Sequence, residues 1–189
     1  MTAATAITWL RVLITPGVIY TIQLQQYRMA LLLFITAAVT DVLDGWCARI
    51  RNEQTLFGAC LDPIADKFLV LSTLGALAWG DHYPVLILPT IATIFYIKEF
   101  LLLGSIAYAY IAWGSVRIEP TVMGKLATGV ICITITGILA QYAYGFHIDS
   151  LWVFLSILSA IMSIYALCQY VMRALIRVVI ALGWDIFRL

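Results

Sequence analysis

Charge is what this sequence holds least of. Only 11% of its 189 residues are Asp, Glu, Lys or Arg, and the formal net charge is +1, whereas about a quarter of an ordinary soluble domain is charged. Such a chain has no polybasic face for a nucleic acid, and no nucleic-acid partner is expected. Histidine is nearly absent, with two residues, His82 and His147. The four cysteines, Cys47, Cys60, Cys132 and Cys168, form no C-x-x-C pair and sit inside apolar stretches. That removes a spacing-based zinc or redox motif and leaves small packing residues. No polar linker, low-complexity tract or internal repeat divides the chain, so a single domain over 1–189 is expected. The first apolar run has no basic residue ahead of it, and its one charge, Arg11, lies inside it. It therefore reads as a retained helix rather than a secretory leader.

What is abundant is apolar surface: 63% of residues are hydrophobic and the mean hydropathy is +1.01. About 20 apolar residues span the ~30 Å of bilayer hydrocarbon, and such windows fit at about 5–25, 29–50, 60–80, 84–112, 120–144 and 150–182. The fold class expected is all-α integral membrane with six transmembrane helices. Arg49, Arg51, Arg117, Lys125, Arg173, Arg177 and Arg188 lie around one set of helix ends, and only Arg28 around the other. The excess of Lys and Arg marks the cytoplasmic side, which puts both termini there. A bacterial inner membrane or an organelle membrane suits this arrangement. Trp46, Trp79, Tyr83, Trp113, Trp152 and Trp184 fall near predicted helix ends, as an interfacial aromatic belt does. Gly129, Ile133 and Gly137 follow a four-residue step that predicts close helix packing on helix 5.

Against that apolar background, four of the ten acidic residues stand in one spaced row: Asp41-x2-Asp44-Gly45-x2-Ala48-Arg49-x8-Gly58-x3-Asp62-x3-Asp66. A carboxylate at membrane depth is costly, so its presence calls for a function. Asp41 and Asp44 share one helical face, as do Asp62 and Asp66. The short connection from Arg49 to Phe57 predicts that helices 2 and 3 are antiparallel neighbours with the two pairs facing. Four uncompensated carboxylates would take up protons, since like charges disfavour ionisation. A bound cation is the better compensation, and all-oxygen ligation selects Mg²⁺ or Mn²⁺, one ion or two. Gly45 opens the helix backbone to a flat base or a phosphate, Arg49 offers a fork suited to a diphosphate, and Ala48 and Gly58 allow close helix approach.

These eight positions resemble the signature of the integral-membrane CDP-alcohol phosphotransferases, D-x2-D-G-x2-A-R-x8 or x9-G-x3-D-x3-D, and all eight are present with permitted spacing. The resemblance implies transfer of a substituted phosphate from a CDP-linked donor to an alcohol, with release of CMP. It implies Asp41, Asp44, Asp62 and Asp66 at the metal, with Asp66 also the base that takes the acceptor's proton. Gly45, Ala48, Arg49, Gly58 and Thr8 would line the CDP site. Thr8-x2-Arg11, Lys67, Lys98-Glu99 and Gly124-Lys125-x2-Thr128 are similar to positions in the phosphatidylglycerophosphate synthase branch. Ile106, Ala127 and Ile131 stand where that branch has Arg, Lys and Gln.

The branch implies CDP-diacylglycerol as donor and glycerol 3-phosphate, or another phosphate-bearing alcohol, as acceptor. Arg11, Lys67, Lys98, Arg117 and Lys125 are the cations expected around the acceptor phosphate. A cardiolipin synthase, which joins CDP-diacylglycerol to phosphatidylglycerol, is the nearest alternative. The resemblance also implies a homodimer embedded in membrane lipid. A divalent-cation carrier is the competing class, and it would need acidic residues along a path to the far side, where only Asp81 and Asp149 lie. Ion flux without CDP-donor turnover would favour that class.

Overall fold

A computed structural model describes the backbone of residues 3–51, 56–80, 88–113 and 121–181, with side chains described for 11–40, 67–80, 88–102, 104, 121–173 and 176. The described residues form six helices and no strand: α1 (Ala3–Gln23), α2 (Tyr27–Arg51), α3 (Leu56–Ala78), α4 (Leu88–Trp113), α5 (Val122–Tyr144) and α6 (Asp149–Ala181). The predicted windows hold to within a few residues. α3 begins earlier than expected and takes in Gly58, so the whole signature except the x8 gap lies on helix. α4 starts later, at Leu88, with Pro89 in its first turn, where a missing N–H costs nothing.

Two helices are long and apolar enough to cross a membrane among the described residues, Val122–Tyr144 and Asp149–Arg173. Their outward faces carry Leu126, Ile133, Phe154, Ile161 and Ile164, all exposed. A soluble monomer rarely leaves so much contiguous apolar surface in water. The helical threonines follow the same logic: Thr15, Thr36, Thr73, Thr93, Thr128, Thr134 and Thr136 each donate to the carbonyl four residues back. A hydroxyl satisfied by its own helix can enter an apolar medium without stranding a donor.

Short turns fix which helices run antiparallel. After α1 the chain reverses through Leu24–Gln26, with Gln25 at φ 59. Gln26 N–H reaches Thr21 O at 2.9 Å and Gln25 N–H reaches Ile22 O at 3.0 Å, the two bonds of a Schellman ending, here with glutamine in the left-handed position. α5 ends on Gly145 at φ 75, whose N–H caps Gln141 O. Gln141 then closes the α5–α6 turn. Its Oε1 accepts from Ile148 N–H at 3.1 Å and Trp152 Nε1–H at 2.7 Å, and its Nε2 donates to Asp149. At the other end of this hairpin, Thr121 caps α5 and its N–H donates to Tyr170 Oη at 2.9 Å.

Packing then assembles the bundle. α1 lies against both α2 and α3, α5 against α2 and α6, and α4 against α3 and α6. The expectation that α2 and α3 are direct neighbours is corrected only as far as their described parts go: those pack chiefly on α1, and the signature-bearing ends where the two were to face have side chains outside the described residues. Only four residues separate Arg51 at the end of α2 from Leu56 at the start of α3, which keeps those two ends close. The glycine step on α5 is also corrected in part. Gly137 is packed under the Trp152 ring, but Gly129 meets nothing within 4 Å and Ile133 is 62% exposed. Trp152 belongs to that packed turn as well as to the helix end.

Candidate active site

Helical spacing carries three buried rows toward one end of the bundle. On α1 the row is Arg11, Thr15, Val18 and Ile22, all buried, and Thr8 precedes it in register. On α2 the row Ala30, Phe34 and Ala37 is buried, and the positions that continue it are Asp41, Asp44 and Ala48. On α3, Val70, Thr73 and Leu77 are buried, and the positions that precede them in register are Asp62 and Asp66. The turn at Leu24–Gln26 makes α1 and α2 antiparallel, so the start of α1 meets the end of α2. Leu56, the start of α3, follows Arg51, the end of α2, by only five positions, so it lies at that end too. Thr8, Arg11 and the two aspartate pairs thus belong to one end of α1 and of the two helices packed against it.

The side chains of residues 1–10 and 41–66 lie outside the described residues, and so does Arg117 altogether. That covers Thr8, Asp41, Asp44, Gly45, Ala48, Arg49, Gly58, Asp62 and Asp66. Among the described residues no three His, Cys, Asp or Glu side chains come together. Arg11 is described, and it is 2% exposed and partnered. A guanidinium so buried requires an anion, because an uncompensated interior charge is among the most costly features a fold can hold. The only acidic residues on the two helices packed against α1 are Asp41, Asp44, Asp62 and Asp66.

One ionic cluster is seen in full. Glu99 of α4 is buried and pairs with Lys67 of α3 and with its own neighbour Lys98, the latter at 2.8 Å. Adjacent helical residues do not face each other, so Lys98 must fold its long stem back. It does so over the ring of Phe95, with Nζ 4.8 Å from the centroid. Two ammonium groups and one carboxylate leave the cluster with a net charge of +1. The two lysines differ in access: the Lys67 side chain is 29% exposed, the Lys98 side chain 6%. Lys67 meets Oε2 of the carboxylate and Lys98 meets Oε1, so the two lysines hold different oxygens.

The α3–α4 register that makes this contact is set one and two turns along. Tyr96 Oη donates to Leu71 O at 2.9 Å, across the space left by Gly75, and the Tyr96 ring rests against Trp79 with centroids 5.8 Å apart. Lys67, Leu71 and Gly75 are four residues apart, so one face of α3 meets Glu99 and Tyr96 in antiparallel order. Lys125, by contrast, is exposed in the first turn of α5. The Gly124-Lys125-x2-Thr128 element forms that helix start: Thr121 Oγ1 accepts from Gly124 N–H, and Thr128 donates to Gly124 O. His147 is exposed in the α5–α6 turn, away from the aspartate-bearing end.

Sequence reasoning named Glu99 only as the neighbour of Lys98, and it passed over Tyr96 and Gly75. A lone glutamate in a 26-residue apolar helix was the available signal, since only a partner on another helix could offset its burial. Gly75 carried no such signal, because its role depends on a ring 21 positions away in the chain.

Comparison with known proteins supplies an independent line. The sequence profile described as CDP-alcohol phosphatidyltransferase matches residues 1–168. The chain is 30% identical over 166 residues to the cardiolipin synthase (CMP-forming) of Homo sapiens, covering 79% of this chain and 55% of that protein. It is 43% identical over 94 residues to the CDP-diacylglycerol–glycerol-3-phosphate 3-phosphatidyltransferase of Cereibacter sphaeroides, covering 47% of this chain and 42% of that protein. A protein of the same description from Haemophilus influenzae is 29% identical over 143 residues, with 76% of this chain and 75% of that protein covered. The chain thus spans about half the length of the first two relatives.

Proposed function

The chain belongs to the CDP-alcohol phosphatidyltransferase family, and from that premise we propose that it moves the phosphatidyl group of CDP-diacylglycerol to glycerol 3-phosphate, giving phosphatidylglycerophosphate and CMP. The observation that carries this reading is the full eight-position signature, Asp41 to Asp66, on two helices that both pack against α1. The six helices are taken to span the bilayer, with both termini and the signature end on the cytoplasmic side. The bias of Lys and Arg toward one set of helix ends supports that orientation.

Four carboxylates on two helices whose sequences hold no histidine make a hard, oxygen-only donor set, which fits Mg²⁺ or Mn²⁺ held by Asp41, Asp44, Asp62 and Asp66. Buried Arg11 fits the same picture as a fixed cation that limits mutual repulsion among those carboxylates. When bound, the ion neutralises charge on the diphosphate and on the departing CMP. The chain's own residues would do the rest. Arg49 holds the diphosphate, and Gly45, Ala48, Gly58 and Thr8 let the cytidine lie close to the helices. Asp66 takes the proton of the acceptor hydroxyl as that oxygen bonds to the phosphorus bearing diacylglycerol. The bond from this phosphorus to the bridging oxygen breaks, and CMP leaves with the electron pair. Such a transfer needs positioning and charge neutralisation more than covalent help from the protein.

A phosphate-bearing acceptor is favoured by the net positive Lys67–Glu99–Lys98 cluster beside the signature. Lys125 and Arg117 would add cations at the cytoplasmic edge. The second reading, cardiolipin synthesis with phosphatidylglycerol as acceptor, draws on the likeness to the human cardiolipin synthase. An acceptor panel separates them: purified protein in nanodiscs with CDP-diacylglycerol and Mg²⁺ should release CMP on addition of glycerol 3-phosphate and lose that activity in EDTA, with Mg²⁺ or Mn²⁺ restoring it. Release with phosphatidylglycerol alone would replace the first reading by the second, and activity that persists in EDTA would remove the metal.

A further inference from the structure

The Lys67–Glu99–Lys98 cluster has the construction of an exchange device. Lys98 and Glu99 are both nearly inaccessible, hydrogen-bond at 2.8 Å, and together carry no net charge. Lys67 reaches the same carboxylate from a different helix and, unlike Lys98, is partly exposed. It is also the residue that directly follows Asp66. We propose that Lys98 is a positioning residue: it serves as the permanent counter-ion of Glu99, and so frees Lys67 to exchange Glu99 for the phosphate of the acceptor.

The electrostatic reason is that a buried carboxylate stranded without a cation is strongly unfavourable, whereas a neutral pair can stay behind unharmed. If Glu99 had only Lys67, every binding event would strand the carboxylate, and the acceptor phosphate would compete against that cost. With Lys98 in place, Lys67 can leave Glu99 and the buried remainder stays balanced. The phosphate contact is charge-assisted, which makes the exchange favourable. Lys98 is then not itself a phosphate ligand: at 6% side-chain exposure, with its ammonium committed to Glu99 and to the Phe95 face, it has no free approach to an incoming anion.

This inference rests on the phosphate-bearing acceptor proposed above. The test is steady-state CMP release by the full chain in nanodiscs, with glycerol 3-phosphate and CDP-diacylglycerol varied separately. Lys98→Met should raise the KM for glycerol 3-phosphate by about tenfold, the equivalent of one charge-assisted contact, with kcat and the KM for CDP-diacylglycerol little changed. Lys98→Arg should restore wild-type behaviour. The double variant Lys98→Met/Glu99→Gln removes the pair as a neutral unit, which proteins commonly tolerate, and should return the acceptor KM to about the wild-type value because nothing then holds Lys67 back. Lys67→Met should raise the acceptor KM whether or not Glu99→Gln accompanies it.

An unchanged acceptor KM in Lys98→Met overturns the proposal. So does a raised KM that the double variant fails to lower, since Lys98 would then touch the phosphate itself. If wild-type protein responds only to phosphatidylglycerol, the acceptor reading fails by itself. The same variant series, measured against the phosphodiester of that lipid, then decides the role of Lys98.

Discussion

Replacing Gly75 by alanine should loosen the α3–α4 contact on which the ionic cluster depends, and a second substitution should repair it. An ideal Cβ on Gly75 would lie 2.5 Å from Tyr96 Oη, but 3.6 Å from Tyr96 Cζ and from the Trp79 ring. The clash is therefore with one oxygen. That oxygen ends a rigid ring and donates to Leu71 O at 2.9 Å, so it cannot withdraw without losing the bond. Overpacking costs about 1–3 kcal/mol and the lost bond about 0.5–1.5 kcal/mol, giving about 2–4 kcal/mol for Gly75→Ala.

Tyr96→Phe alone forfeits only the bond, about 0.5–1.5 kcal/mol, because Leu71 O keeps its helical partner. In the double variant the obstructing oxygen is gone and the new methyl has ordinary contacts. Its stability should match that of Tyr96→Phe, or exceed it by up to about 1 kcal/mol from the better helix propensity of alanine. The coupling of about 2 kcal/mol or more stands well above the ~0.5 kcal/mol scatter of independent sites. Thermal unfolding in nanodiscs reads it as a midpoint about 5–15 °C lower for Gly75→Ala, recovered in the double variant. The acceptor KM should rise and recover in parallel, since Leu71 is one turn from Lys67. A double variant as unstable as Gly75→Ala, or simple additivity, would refute the packing argument.

Two further outcomes follow from the same structure. Asp66→Asn should abolish CMP release while CDP-diacylglycerol still binds, measured by equilibrium binding of labelled donor; retained turnover would remove Asp66 as the proton acceptor. Gln141→Leu should destabilise the α5–α6 turn by about 2–4 kcal/mol, because Ile148 N–H and Trp152 Nε1–H both lose their acceptor, and an unshifted unfolding midpoint would contradict the role given to that amide.

The helices were legible because a membrane helix announces itself by length and apolarity, and the six windows differ from α1–α6 mainly at their ends. The signature was legible for the opposite reason: charge is so scarce that four aspartates at helical spacing stand out. Lys98 was harder. As one of two adjacent charges in an apolar helix it reads as an expected phosphate ligand, and nothing local says that its stem folds over Phe95 and its ammonium is already committed. Lys125 likewise sits in an element whose glycine and threonines build a helix start. The direct α2–α3 contact was expected from a short connection, which sets where two helix ends lie but not which faces meet.

By itself, the sequence determined the helical class, the membrane character and the eight-residue row with its family, because each is written in composition or in spacing along a single helix. The tertiary structure decided which charges are hidden and which remain accessible. Arg11 became a buried cation on the helix shared by α2 and α3, and Lys67 and Lys98 became unlike through one glutamate. Those distinctions come from contacts between residues far apart in the chain, such as Lys67 with Glu99 and Tyr96 with Leu71. The free energy of a buried charge depends on what packs around it, and only the assembled helices supply that.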